Sequence, residues 1–145
     1  MYLSDYIIRH KSAYYINLRK VTEEGNWSEW ILYMLDMVEQ TALKGRNQII
    51  EIEKLIEQMS AEIQEKLPKL YSKDLVEALF KLPYTKRSQL GMAGLGSLKT
   101  VGSYLKALEN EGFLKSEQVG KEKLYVNYKL LQILKNKGGS MGKYP

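Results

Sequence analysis

The chain has 145 residues, no cysteine, one histidine and a formal net charge of +5, a size that suits one domain or two small parts with a modest core each. Disulfides and thiolate catalysis are excluded, and zinc or Ser-His-Asp chemistry is a poor expectation because His10 would have to fill every imidazole role. No run of about 18 uncharged apolar residues exists to span a bilayer, and Met1 opens no secretory signal, so the expectation is a soluble, cytoplasmic protein with no membrane partner, no metal and no cofactor.

Ser4 and Asp5 suit the start of a first helix in which Leu3, Ile7, Tyr14, Leu18 and Val21 recur at helical spacing, and Gly25 suits its end. Asn26 then caps a second helix, with Glu29 three residues on in the spacing of a capping box. From Trp27 to Leu67 there is no proline. Ile31, Leu35, Val38, Ala42, Gly45, Ile49, Ile52, Ile56, Met59 and Ile63 alternate steps of four and three, the heptad period of a packing seam. A helix of that length would extend ~60 Å and could not bury its stripe against itself. The seam predicts a homodimer interface through Ile49, Ile52, Ile56, Met59 and Ile63, unless the first helix or another part of a larger protein covers it. Gly45 is the weak point at which two helices could replace one. Tyr14, Tyr15, Trp27, Trp30 and Tyr33 read as core and interface packing rather than as a ligand-stacking set.

At Leu67-Pro68 the pattern changes, and so does the charge. Residues 1–67 carry 8 basic and 11 acidic side chains, whereas residues 68–145 carry 14 basic and 6 acidic ones. A basic half of this kind fits a polyanion-binding surface, although scattered lysines also serve solubility. Ser72 caps a helix running to about Leu82, with Leu75, Val76, Leu79 and Phe80 on its buried side and Pro83 ending it. A short helix is expected over Lys86–Met92, then a glycine-rich turn through Gly91, Gly94 and Gly96. That run lacks the Lys-Ser or Lys-Thr of a phosphate-cradling P-loop. A third helix from Ser97 to Glu111 has Val101, Leu105 and Leu108 as its apolar stripe and Gly112 as its left-handed stop. Phe113–Val119 and Lys123–Tyr128 alternate as two strands joined at Gly120-Lys121-Glu122, and Tyr128–Lys135 closes the module as a helix. Residues 138–145 read as a disordered tail.

The expected fold is therefore mainly α: a long helical segment over 1–67, then a winged helix-turn-helix over 68–137 with a small β-hairpin wing. The segment Leu105-Lys106-Ala107-Leu108-Glu109-Asn110-Glu111-Gly112-Phe113-Leu114 resembles the L-x-x-L-E-x-x-G-x-L signature of winged-helix regulators. The N-terminal part of the third helix is the part that enters the major groove in such modules. Ser97, Lys99, Thr100, Ser103 and Lys106 are thus the expected readers of duplex DNA, with Lys121 and Lys123 on the wing as phosphate contacts.

Three further stretches carry a family resemblance. Tyr2-Leu3-Ser4-Asp5-Tyr6-Ile7, the Tyr14-Tyr15 pair, and Gly25-Asn26-Trp27-Ser28-Glu29-Trp30-Ile31 resemble the region just downstream of the catalytic core in Fic-family proteins. Fic enzymes transfer AMP from ATP to a hydroxyl side chain, through a loop of the form H-P-F-x-D-G-N-G-R. This sequence has no such loop, and His10 is followed by Lys11-Ser12-Ala13. The resemblance implies the C-terminal region of a larger AMP-transferring protein, whose catalytic core is a missing partner, and it carries no catalytic residue onto this chain. Two roles follow for the winged helix. It binds DNA as a dimer, or it is a docking or autoregulatory module for the Fic core.

Overall fold

The computed structural model describes residues 3–135. It is mainly helical with a small antiparallel sheet, in the order α1 (Leu3–Arg9), α2 (Lys11–Glu24), α3 (Trp27–Lys66), α4 (Lys73–Lys81), β1 (Tyr84–Lys86), α5 (Arg87–Met92), α6 (Leu98–Asn110), β2 (Lys115–Val119), β3 (Glu122–Val126) and α7 (Tyr128–Lys135). No described helix is long and apolar enough to cross a membrane. The tail expected at 138–145 lies outside the described residues.

The first expected helix is two. His10 leaves the helical region (φ −119°, ψ 37°), and its ring Nδ1 sits 3.0 Å from the Tyr6 carbonyl that its own amide also uses. Ser4 and Asp5 lie within α1 rather than capping it. Gly25 then takes the left-handed conformation (φ 67°) and returns its amide to Val21, a backbone state that a side chain would strain. Asn26 Oδ1 accepts the Glu29 amide at 3.3 Å and starts α3. The reciprocal half of the capping box does not form, because the Glu29 carboxylate turns to Asn26 Nδ2 (3.0 Å) and Lys20 Nζ (2.5 Å) instead. α3 continues unbroken past Gly45; one helical glycine costs about 1 kcal/mol, too little to open a helix supported on both sides.

The described residues fall into two compact units divided in sequence between Ile50 and Glu51, so α3 contributes to both. In the first, aromatic rings join α1 and α2 to α3. Tyr14 stands edge-on to Trp30 with centroids 5.4 Å apart, Tyr33 lies 6.2 Å from Tyr6, and Tyr6 Oη donates to Asp36 Oδ2 at 2.9 Å. That bond to a carboxylate raises the Tyr6 pKa above its ordinary value. Met37 is the buried apolar residue here among the described residues, whereas Trp27 and Tyr15 are largely exposed and take no part in the core.

The second unit has an aliphatic core. Met59 and Ile63 of α3 join Leu75 and Leu79 of α4, Leu90 of α5, Val101, Leu105 and Leu108 of α6, and Phe113, Leu114 and Tyr125 in one buried cluster. Met59 and Ile63, expected on a seam between two chains, are therefore buried in the chain's own core at 1% and 0% exposure. Ile56 packs partly against that core, Ile52 is half-buried, and only Ile49 of the expected interface is exposed. This unit reaches back well before Leu67-Pro68, because the end of α3 supplies a wall that three short helices and a hairpin lack.

Ser72 Oγ accepts the Leu75 amide and starts α4; Leu82, extended before Pro83, ends it. Pro83 also accepts the Asn127 amide at 2.9 Å, which lines up a strand absent from the sequence reading. That strand, β1, pairs with β3 (Tyr84↔Val126), giving the sheet order β1-β3-β2. The wing turn is tighter than expected, two residues at Gly120-Lys121 with Glu122 already in β3. Buried Asn127 ties the parts together: its Oδ1 accepts the Leu130 amide at 3.2 Å and its Nδ2 donates to the Leu79 carbonyl at 3.4 Å. Helix, strand, helix, helix and hairpin form a winged helix in element order.

The shared use of α3 gives a direct test. Ile63→Ala is expected to lower unfolding stability by about 2–5 kcal/mol, as for other buried aliphatic truncations, whereas Ile49→Ala, compared in protein dilute enough to be a single copy, should stay within about 0.5 kcal/mol. Urea denaturation of both variants followed by far-UV circular dichroism measures the contrast.

Candidate nucleic-acid interface

α6 begins because Ser97 is extended (ψ 156°) and its Oγ accepts the Thr100 amide at 3.2 Å. Val101, Leu105 and Leu108 then fix one face of the helix in the core. At 100° per residue, Lys99, Ser103 and Lys106 lie roughly 140–200° round from Val101 and face outward, and all three are exposed. The hydroxyls expected to read bases are occupied locally. Ser97 and Thr100 hydrogen bond to each other at 2.9 Å, and Ser103 Oγ donates to the Thr100 carbonyl at 2.7 Å. Lys99 and Lys106 are the two cations of α6, and neither forms an ion pair among the described residues.

A cation that the sequence reading missed lies beside them. Arg87 opens α5, and a Cβ placed on Gly102 would come within 2.8 Å of its Cζ and Nε. Gly102 therefore leaves room for the guanidinium to lie against α6. Arg87 also lines a groove of about 350 Å³ with Lys86, Ser88, Leu98, Glu122, Lys123 and Tyr125, between α5, α6 and the wing. The available signal was a glycine in mid-helix, a position that costs about 1 kcal/mol unless something needs the space.

Two cations of the sheet are held by carboxylates. Lys123 Nζ donates to Glu109 Oε2 at 3.1 Å and lies 5.1 Å from the Tyr125 ring centroid, while Lys86 pairs with Glu122. Ser116 also donates to Glu109. Those two donors, Ser116 first, hold the Glu109 carboxyl below the usual carboxylate range, and the Glu109 contact raises Lys123. Lys121, at the two-residue tip, is exposed and makes no ion pair among the described residues. The cations here are of two grades among the described residues: Arg87, Lys99, Lys106 and Lys121 without a carboxylate, Lys86 and Lys123 with one.

Residues 55–130 match the model of a family described as the C-terminal domain of SoFic-like protein adenylyltransferases. The match covers just over half of the chain. The chain belongs to this family. The SoFic-like match begins at Leu55, inside α3, and ends at Leu130, inside α7. Its limits thus take in the α3 residues Met59 and Ile63 that complete the winged-helix core.

The Glu109 contact has a pH signature. Its carboxyl is lowered by folding, so the contact stabilises the folded chain above the ordinary value of 4.5, and that contribution vanishes as pH falls through the lower folded-state value. Urea titrations of wild type and Glu109→Gln are expected to favour wild type at neutral pH. The difference should close progressively at pH values below about 4.5.

Proposed function

We propose that this chain is the regulatory C-terminal region of a Fic-family protein adenylyltransferase and that its winged helix binds duplex DNA, with α6 in the major groove. The helical segment before Glu51 would then join the module to a Fic catalytic core, the partner in which AMP transfer takes place. One observation carries the DNA reading: Arg87, Lys99 and Lys106, from two helices, lie on one flank of α6 without carboxylate partners among the described residues. Phosphate contacts position such a helix and base contacts specify sequence. Arg87, Lys121 and the wing lysines suit the first task, and Lys99 and Lys106 reach toward base edges. The Ser97, Thr100 and Ser103 hydroxyls, engaged in shaping α6, contribute mainly by accepting hydrogen bonds.

The test is fluorescence anisotropy on duplex fragments at several salt concentrations, with polyglutamate as an acidic competitor. Affinity is expected to fall with salt at about −0.9 log units per neutralised phosphate, and Lys121→Ala to reduce that slope by about one on every sequence. Lys106→Ala should change which fragments are preferred. Gly102→Ala separates binding from folding. It should raise helix stability by roughly 0.5–1 kcal/mol yet weaken DNA binding to the level of Arg87→Ala, because its methyl displaces the guanidinium. Polyglutamate competing as well as DNA would replace this reading with a docking module for acidic protein.

A further inference from the structure

The first unit leaves one side of α3 uncovered among the described residues. Ile31, Leu35, Val38 and Ile49 are 53%, 60%, 43% and 59% exposed. The chain's own packing uses a different face, the one carrying Trp30, Tyr33 and Met37. At 100° per residue, Val38, Ala42, Gly45 and Ile49 centre roughly 100° round from that face. Their four-three spacing is that of a two-helix seam.

The charges beside the stripe specify what fits it. Glu39 follows Val38 and Arg46 follows Gly45, so an acid and a base hold the same flanking position one heptad apart. Both are exposed, and neither forms an ion pair within the chain among the described residues. An acid and a base so placed complement their own image rotated by a two-fold axis, the condition for a like-to-like interface.

We propose that two copies of this chain pair antiparallel along α3, Val38 layering on the partner's Ile49 and Ala42 on the partner's Gly45. The axis passes between positions 43 and 44, where the small residues Ala42 and Gly45 bring the backbones together. Each Glu39 then meets the partner's Arg46, twice by symmetry. Sliding the pair one heptad one way sets Glu39 against the partner's Glu39, and one heptad the other way sets Arg46 against the partner's Arg46. A parallel pair sets Arg46 against Thr41. Only the stated register satisfies both charges, and like charges at such positions oppose pairing. The inference stands apart from the DNA reading.

Sedimentation velocity on the full chain at roughly tens of micromolar is expected to show a dimer. Arg46→Glu alone and Glu39→Arg alone each turn two attractions into two repulsions, weakening association roughly thirtyfold. The double variant Glu39→Arg/Arg46→Glu should restore the dimer, because the two ends exchange roles. All three changes are on the surface, so unchanged circular dichroism separates loss of pairing from loss of fold. Because the chain lacks cysteine, orientation is read by oxidising a mixture of Ala42→Cys and Gly45→Cys chains. The mixed disulfide should dominate over either homodisulfide. A monomeric wild type, single variants that remain dimeric, a double variant that stays monomeric, or prevailing homodisulfides would each overturn the proposal.

Discussion

A helix as long as α3 gains most of its stability from whatever its apolar stripe meets, and for its last turns that is the rest of the same chain. Met59 and Ile63 enter a cluster with α4, α5 and α6. Without them Leu75, Leu79, Leu105 and Leu108 would lack a wall, since α4, α5 and α6 have nine, six and thirteen residues and a core this small tolerates little loss. Asn127 depends on the same burial. Its amide reaches the Leu79 carbonyl and approaches Met59 Sδ at 4.0 Å, so one buried polar group, just before α7, touches both α3 and α4. With that wall in place α6 cannot rotate, and the outward direction of Lys99 and Lys106 follows from the burial of Val101, Leu105 and Leu108.

The parts legible in the sequence are those fixed by local chemistry. Ser72, Ser97 and Gly112 mark helix ends through hydrogen bonds or backbone conformations that span a few residues, and those ends are where the sequence places them. The illegible parts depend on a distant partner. β1 has three residues, too few to show alternation, and exists because Pro83 meets Asn127 across the sheet. The heptads of α3 read as one seam, but periodicity says which face is apolar and not what covers it; Met59 and Ile63 turn fully inward, Ile56 does so in part, and Ile31, Leu35, Val38 and Ile49 stay exposed. The module's basic character was readable from charge counts, but its division among lysines was not. Glu109 and Glu122 lie 14 and 36 residues from the lysines they hold.

That division changes what the excess charge means. Most carboxylates after Pro68 are committed to lysines: Glu111 to Lys66, Glu77 to Lys73, Glu109 to Lys123 and Glu122 to Lys86. The last two fasten the wing, Glu109 binding α6 to β3 and Glu122 binding β3 to the lysine that ends β1. Exposed pairs of this kind contribute about 0–1 kcal/mol each, enough to bias the wing's position and little enough for a phosphate to take over the lysine. The wing is thus held near α6 before any polyanion arrives, which reduces the ordering cost of docking. Arg87 is preorganised by a different device, the absence of a side chain on Gly102.

Gly45 and Gly102 both sit inside helices, where each costs about 1 kcal/mol relative to alanine. A cost of that size is tolerated when the missing methyl makes room for another group. At Gly102 the group is visible, a guanidinium lying where a Cβ would be. At Gly45 the neighbouring heptad position is Ala42, so the stripe is narrowest at the point where the proposed two-fold axis crosses it. Larger residues, Val38 and Ile49, stand on either side of that point. A helix pair closest at its centre and filled by branched side chains beyond it has one register of best fit, and the Glu39 and Arg46 charges select that same register. Steric fit and charge pairing, set by different residues, select the same geometry, which chance spacing along a forty-residue helix would not require.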